Sequence, residues 1–320
     1  MTTMAFLPRR LLAAVGVLFI ASMAIFLLLH LAPGSPANVL AGPDATPAQV
    51  AAVTRQLHLD QSLPVQYWHW LTGVLGGHLG QSYVLHRPIG SLITQRLGST
   101  LQLMAAAAIV MTVVGVILGV ASAESRFRVV REGVDAVSTV FLSAPPFVSS
   151  VLFIFVFAIT WKLLPAGGQT DFFSDPWFSI QYLAMPAIAV ALPGAATIAR
   201  LLATELRRNS EQEFVRTAVA KGARRSRIVM RHVLPNSLGP AAVELGIRIG
   251  EMFAGAIVVE SLFARSGIGS LLVTAVQDRD YLLADDLLLL SVAFAIVMQM
   301  LTELGVARID RRLALEGSLT

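Results

Sequence analysis

Apolar runs separated by short polar turns set the pattern of this chain. Leu11 to Leu29 is 19 residues without a charge, enough helix to cross a hydrocarbon core of about 30 Å. Leu101 to Ala123 is a second uncharged run, of 23 residues. Ala136 to Trp161 forms a third, interrupted by Pro145-Pro146. A proline pair removes two backbone donors and crowds the preceding turn, so this helix is predicted to kink or unwind near mid-membrane. Ile180 to Ala199, with Pro186 and Pro193 inside it, is the fourth crossing, and Leu287 to Ala307 the last. A fifth, about Asn236 to Val259, is required to keep the count consistent, although it carries Glu244, Arg248 and Glu251. These three fall at i, i+4 and i+7, so they share a face, can neutralise one another, and must look at protein or water rather than lipid. Gly246, Gly250, Ala254 and Gly255 on the same segment permit close helix packing. The pattern predicts an all-α polytopic membrane protein with six transmembrane helices.

The polar stretches carry the rest. Pro33 to Ser99 is rich in proline and glycine and reads as an external segment. Within it Thr46-Pro47-Ala48-Gln49 is a capping box with proline at the first helical position, opening a short helix toward Leu57. Leu63 to Leu75 holds Tyr67, Trp68 and Trp70, an aromatic cluster of the kind expected at a membrane interface. His58, His69 and His78 lie in the same segment, but no pair has the i, i+4 spacing of a helical metal site, which favours surface or packing roles. Leu164 to Trp177 and Glu260 to Asp286 read as further external loops. The most distinctive stretch is Ser210 to Pro235. Ser210 and Glu213 form a capping-box pattern and Gly222 is placed to end the helix, predicting a helix from Glu211 to Lys221. Phe214, Val215, Ala218 and Val219 make one apolar stripe on it, with Glu213, Arg216 and Lys221 charged. Such a helix suits a groove on a partner; the competing reading is a helix lying on lipid or packed on its own domain.

Composition agrees with the pattern. The chain has 320 residues, 55% of them hydrophobic and 14% charged, with a mean hydropathy of +0.70, far more apolar than a soluble domain. Without cysteine there is no disulfide framework, thiolate metal site or cysteine nucleophile. Basic residues fix the orientation. Arg9 and Arg10, Arg126, Arg128 and Arg131, nine from Arg200 to Arg231, and Arg308, Arg311 and Arg312 give 17 on one side, against Arg55, Arg87, Arg96, Lys162, Arg265 and Arg279 on the other. The positive-inside rule then places both termini and Ser210 to Pro235 in the cytoplasm. The first run reads as an anchor rather than a cleaved signal, since it is longer than an h-region and ends in His30-Leu31-Ala32-Pro33. There is no Gly-x4-Gly-Lys-Ser/Thr, no His-Glu-x-x-His and no Gly-x-Ser-x-Gly, which argues against nucleotide hydrolysis or intramembrane catalysis by this chain. A secondary transporter would use Glu244, Arg248 and Glu251 for ions, but their spacing suits mutual neutralisation better. The basic loop lacks the aromatic platform of a nucleic-acid surface.

The stretch Arg216-Thr217-Ala218, Gly222, His232, Leu234-Pro235 resembles the cytoplasmic loop of the membrane subunits of binding-protein-dependent ABC importers. There the pattern is Glu-Ala-Ala, three residues, Gly, nine residues, Ile-x-Leu-Pro. Arg216 and His232 replace the Glu and Ile, while Phe214 to Ala223 and Arg231 to Leu238 are similar to the variant of the dipeptide, oligopeptide and nickel branch. Arg9-Arg10, Ala32 to Pro36, Leu63 to Tyr67, Gly80-Gln81-Ser82 and Val259 to Phe263 agree with that branch too, so the likeness spans nearly the whole chain. Ser266-Gly267-Ile268-Gly269 stands where the branch has Pro-Gly-x-Gly. The resemblance implies a type I ABC importer permease fold. It divides the chain into an N-terminal helix and external segment at 1–99, a permease core at 100–310 with a coupling helix at about 211–221, and a cytoplasmic tail at 311–320. Glu213, Phe214, Val215, Arg216, Ala218, Lys221 and Gly222 would then couple to an ATPase, with no catalytic, cofactor or metal site in this chain. ATP and magnesium would be bound by two ABC ATPase subunits. A second homologous permease would complete a heterodimer, and an extracytoplasmic binding protein would deliver cargo, in a bacterial cytoplasmic membrane with no nucleic acid involved. The resemblance leaves the cargo open among dipeptides, oligopeptides, glutathione and nickel chelates.

Overall fold

The computed structural model describes residues 3–31, 35–42, 44–57 and 59–309. His58, Ala32-Pro33-Gly34, Arg311, Arg312 and the tail expected at 311–320 lie outside the described residues. The described chain is helical: α1 Thr3–His30, α2 Pro36–Ala41, α3 Pro47–Gln56, α4 Leu63–Leu75, α5 Ile89–Glu124, α6 Arg128–Ser143, α7 Pro146–Phe153, α8 Pro176–Ser210, α9 Glu213–Ala220, α10 Arg225–Ile228, α11 Leu234–Leu262, α12 Ile268–Gln277 and α13 Tyr281–Ile309. Turns of π-helix extend α7 over Ile154–Thr160 and join α10 to α11 over Val229–Val233. Four helices among the described residues are long and apolar enough to cross a membrane: α1, α5, α8 and α13. The chain divides into two units, residues 1–100 with 266–296, and 101–265 with 297 onward.

The expected third crossing breaks at Pro145-Pro146, as the proline pair predicts. α6 and the helix over Pro146–Thr160 meet at 106°. Ala144 and Pro145 each precede a proline and are pushed into extended backbone, with ψ of 113° and 146°. Two consecutive extended residues turn the chain, where a single proline would only bend it. Elsewhere helices outrun their apolar runs: α5 begins at Ile89 rather than Leu101, and α8, helical through Pro186 and Pro193, continues past Ala199 to Ser210.

In the unit containing residues 101–265, α8 is the centre, with Ala195, Ala199, Leu202 and Leu206 almost fully buried. Gly115 and Gly119 lie one turn apart on α5 and meet α8 closely. A Cβ at either would sit 3.1 Å from the Ala195 carbonyl oxygen or 3.0 Å from that of Ala199. α11 approaches α8 at Gly194 and α13 at Gly246, where a Cβ would collide with the Thr302 side chain. Small residues thus let the helix backbones touch, as the glycines of α11 lead one to expect.

In the unit containing residues 1–100, Thr46 caps α3 with the reciprocal Gln49 bond expected of a capping box. Tyr67 and Trp70 do not form a surface belt. Tyr67 shares a 2.9 Å hydrogen bond with Ser22 of α1, and Trp70 stacks on Phe26 with ring centres 5.9 Å apart. Trp68 alone of the three faces outward, 61% exposed. The expected loop Glu260 to Asp286 is instead largely helical, made of the end of α11, all of α12 and the start of α13. Its acidic residues Asp280, Asp285 and Asp286 are buried.

Candidate functional site

The segment between α8 and α11 is where the sequence concentrates its signal. α9 is shorter than expected. Ser210 does not cap it, because the amphipathic pattern of α8, with Leu202 and Leu206 buried, carries that helix through Ser210. Gln212 takes the N-cap position instead, in extended backbone with no side-chain bond, and Glu213 opens the helix. An acid in the first turn suits the positive end of the helix dipole. The C-terminus is a complete Schellman motif. Gly222 has φ +76°, its N–H donates to Val219 O at 2.9 Å, and Ala223 N–H donates to Ala218 O at 3.1 Å.

No residue of α9 is buried. Phe214 is 38% exposed and Val219 60%, so the apolar stripe expected from their spacing is displayed, with Val215 and Ala218 half-covered beside it. Arg216 and Lys221 are exposed at its margin. An eight-residue helix is far below the length at which helices are stable alone. Its position comes from its neighbours. On one side Arg207 of α8 donates to Ser122 O at 3.2 Å and Ser122 Oγ at 3.0 Å, and Ser122 donates to Asp135 at 3.2 Å. On the other, Arg225 pairs with Glu124 at 3.0 Å, and Ile228, Val229 and Val233 are buried. Asn209 donates to Ser237 Oγ at 3.0 Å and Ser237 donates to Val233 O at 2.8 Å, tying the end of α8 to the start of α11. These supports were not singled out in the sequence. Their signal is faint: Glu124 and Asp135 stand among the arginines of the turn between α5 and α6 and have natural partners in a second basic segment.

The structure thus places Glu213, Phe214, Val215, Arg216 and Ala218 on one short helix, with Lys221 and Gly222 forming its end. The second group, Glu244, Arg248 and Glu251, lies on α11. Arg248 Nε meets Glu244 Oε1 at 2.7 Å and Nη1 meets Glu251 Oε2 at 2.7 Å. The three side chains are brought together as an intrahelical trio, 35%, 20% and 58% exposed for Arg248, Glu244 and Glu251. The arrangement offers an exposed apolar helix between two anchored flanking segments for docking. Among the described residues no group of three His, Asp or Glu could hold a metal ion.

Comparisons with known proteins bear on this site. A family described as "Binding-protein-dependent transport system inner membrane component" matches residues 115–315, and its N-terminal counterpart matches residues 3–104. A putative peptide permease protein of Brucella suis biovar 1 is 36% identical over 312 residues, covering 95% of this chain and 97% of the relative. The glutathione transport system permease protein GsiC of Salmonella choleraesuis is 33% identical over 290 residues, covering 90% and 92%. The fold matches that of the inward-facing MetNI methionine ABC transporter, with a TM-score of 0.55 and 17% identity, over 70% of this chain and 98% of that one.

Proposed function

Because the chain belongs to the family of binding-protein-dependent transport system inner membrane components, we propose that it is the permease subunit of an ATP-driven importer of peptides. The single observation that carries the mechanism is α9. It is a short helix with its apolar stripe displayed, and the segments that flank it are fixed by bonds of α8 to α5, of α10 to α5 and of α8 to α11. Helix-in-groove docking uses such a face. Phe214, Val215 and Ala218 would supply the buried contact with a separate ATPase subunit, while Arg216 and Lys221 would contribute charge complementarity. Closure of two ATPase subunits on ATP and magnesium would move α9, and its ties would pass that movement to α8 and α11. The chain carries no phosphate-binding Gly-x4-Gly-Lys-Ser/Thr loop of its own, which supports hydrolysis by another polypeptide.

A second, homologous permease would complete the translocation path, and an extracytoplasmic binding protein would deliver the cargo. The excess of basic residues on one side supports both termini and α9 facing the cytoplasm. Six crossings are reached if the α6–α7 pair and the 29-residue α11 each traverse the membrane. The names of the Brucella and Salmonella relatives support a peptide cargo; glutathione, a tripeptide, falls within that class. The test is a tagged pull-down from solubilised membranes followed by ATPase and uptake assays with Phe214→Asp. Copurification of an ATPase and a second permease, with the variant inserted but uncoupled, is the expected result. Recovery of the chain alone, or full uptake by Phe214→Asp, would overturn the reading.

A further inference from the structure

In the unit containing residues 1–100, a cleft of about 440 Å³ opens beside the start of α13. Phe26, His30, Trp70, Tyr83, Leu282 and Asp285 are among the residues that line it. Its volume lies in the range of small-molecule sites. No arginine or lysine is present among the described lining residues.

Three buried carboxylates stand at this end of α13, and they are treated differently. Asp280 is satisfied by donors: Ser82 Oγ at 2.5 Å, the Val84 N–H at 3.2 Å and the Leu283 N–H at 3.3 Å. Asp286 has one oxygen bonded to Trp70 Nε1 at 2.8 Å, while its Oδ2 has no partner among the described residues. Asp285, whose side chain is 1% exposed, has no such donor at Oδ1. Its Oδ2 lies 3.8 Å from His30 Nδ1, beyond hydrogen-bond distance. That nitrogen sits 2.9 Å from the Phe26 carbonyl, which can only accept, so its proton is committed there.

A buried carboxylate without a donor is costly, and such groups in native proteins have a partner to be found. A cation small enough to be met by one oxygen would supply that partner. Trp70 and Tyr83 in the lining favour an organic cation, since ring faces attract positive charge, while Phe26 backs them, stacked on His30 with ring centres 3.8 Å apart. A guanidinium would want both oxygens in a fork, whereas an ammonium needs only one. We propose that this cleft is a binding site for a primary ammonium group, with Asp285 as its anion and Trp70 and Tyr83 as its aromatic wall. Two sources carry that chemistry: a free amine, such as the amino terminus of a peptide, and the headgroup of phosphatidylethanolamine. The site requires no ATPase and stands apart from the importer reading, so either can fail without the other.

The experiment uses the full chain in phosphatidylcholine nanodiscs, with Trp68, Trp161 and Trp177 replaced by Phe so that emission reports Trp70 alone. Ethanolamine and dialanine are titrated, with N-acetyl-dialanine as a control that lacks the ammonium and needs no further variant. Saturable change with the first two, none with the third, and at least a tenfold loss of affinity in Asp285→Asn is the expected result. Nanodiscs containing phosphatidylethanolamine then separate the sources. A signal already saturated there, and reset by Asp285→Asn, assigns the headgroup; an unchanged titration assigns the free amine. Equal responses to dialanine and its acetylated form would overturn the proposal, as would the lack of any response to amines and to phosphatidylethanolamine alike.

Discussion

Replacing Gly222 tests the coupling reading at its most sharply defined backbone position. The φ of +76° there is reachable by glycine at no cost and by alanine at about 1–2 kcal/mol. Proline is excluded outright, since its ring holds φ near −65°. Gly222→Pro also removes the N–H that bonds Val219 O at 2.9 Å, and without left-handed backbone the Ala223 to Ala218 bond at 3.1 Å cannot form. Lys221, at φ −80° and ψ 3°, would in addition precede a proline, which disfavours that conformation. Two backbone hydrogen bonds at about 1 kcal/mol each make roughly 2 kcal/mol, or close to a 30-fold fall in the population of intact α9. An eight-residue helix has no reserve to absorb this. In proteoliposomes with the partner subunits, uptake should fall in the order Gly, Ala, Pro, while the amount of inserted protein stays constant. ATPase activity would persist but cease to respond to loaded binding protein. Uptake by Gly222→Pro at the unsubstituted rate would refute the argument that the ordered end of α9 transmits force.

Two further outcomes follow from packing and from titration. Gly119→Val would force its Cβ to within about 3 Å of the Ala199 carbonyl and Leu202, so α5 and α8 must separate; a loss of about 1–3 kcal/mol is expected from overpacking, seen as a lower thermal midpoint in detergent, whereas Gly16→Ala, with open space around it, should leave the midpoint unchanged. Tyr83 has its phenol pushed up to about 12, first by burial and then by the negative charges of Asp280, Asp285 and Asp286. The folded state therefore holds this proton more tightly than the unfolded chain does, so its contribution to stability is intact below pH 10 and is lost as pH rises from 10 to 12. Unfolding followed over that window should be less steep in pH for Tyr83→Phe, and an equal slope would refute the shift.

What could be read in advance was local. Thr46 and Gln49 lie three residues apart and cap α3 within a single turn, and Gly222 ends α9 by its own conformational freedom. The Pro145-Pro146 break was legible because proline acts on its immediate neighbours, but the 106° angle was not, since it depends on two successive residues both going extended. Ser210 misled because its capping chemistry was outweighed by the packing of Leu202 and Leu206, which carries α8 past it. Asp285-Asp286 looked like the polar edge of a loop. Their burial rests on Trp70, 216 positions away from Asp286, and on α1, and nothing in the spacing of the chain announces such a contact.

Arg248 is the group that decides what the charges of α11 are for. Its two bonds to Glu244 and Glu251, both 2.7 Å, combine three costly groups into one of net charge −1. With Arg248 about a third exposed and Glu251 more than half exposed, solvent screens the pairs, and the trio is worth less than a fully buried one. The cost of Arg248→Met comes chiefly from what remains: two carboxylates within two turns of one helix face, Glu244 only 20% exposed, with their shared cation gone. Glu251→Gln leaves the Glu244–Arg248 pair whole and should be nearly silent. If mutual neutralisation is the role of the trio, Arg248→Met lowers the yield of folded, inserted protein, and Arg248→Met combined with Glu244→Gln recovers most of it. Transport per inserted molecule should then change little across the series. A different ordering, in which Glu244→Gln alone abolishes uptake while insertion stays normal, would refute neutralisation and make the carboxylates participants in transport.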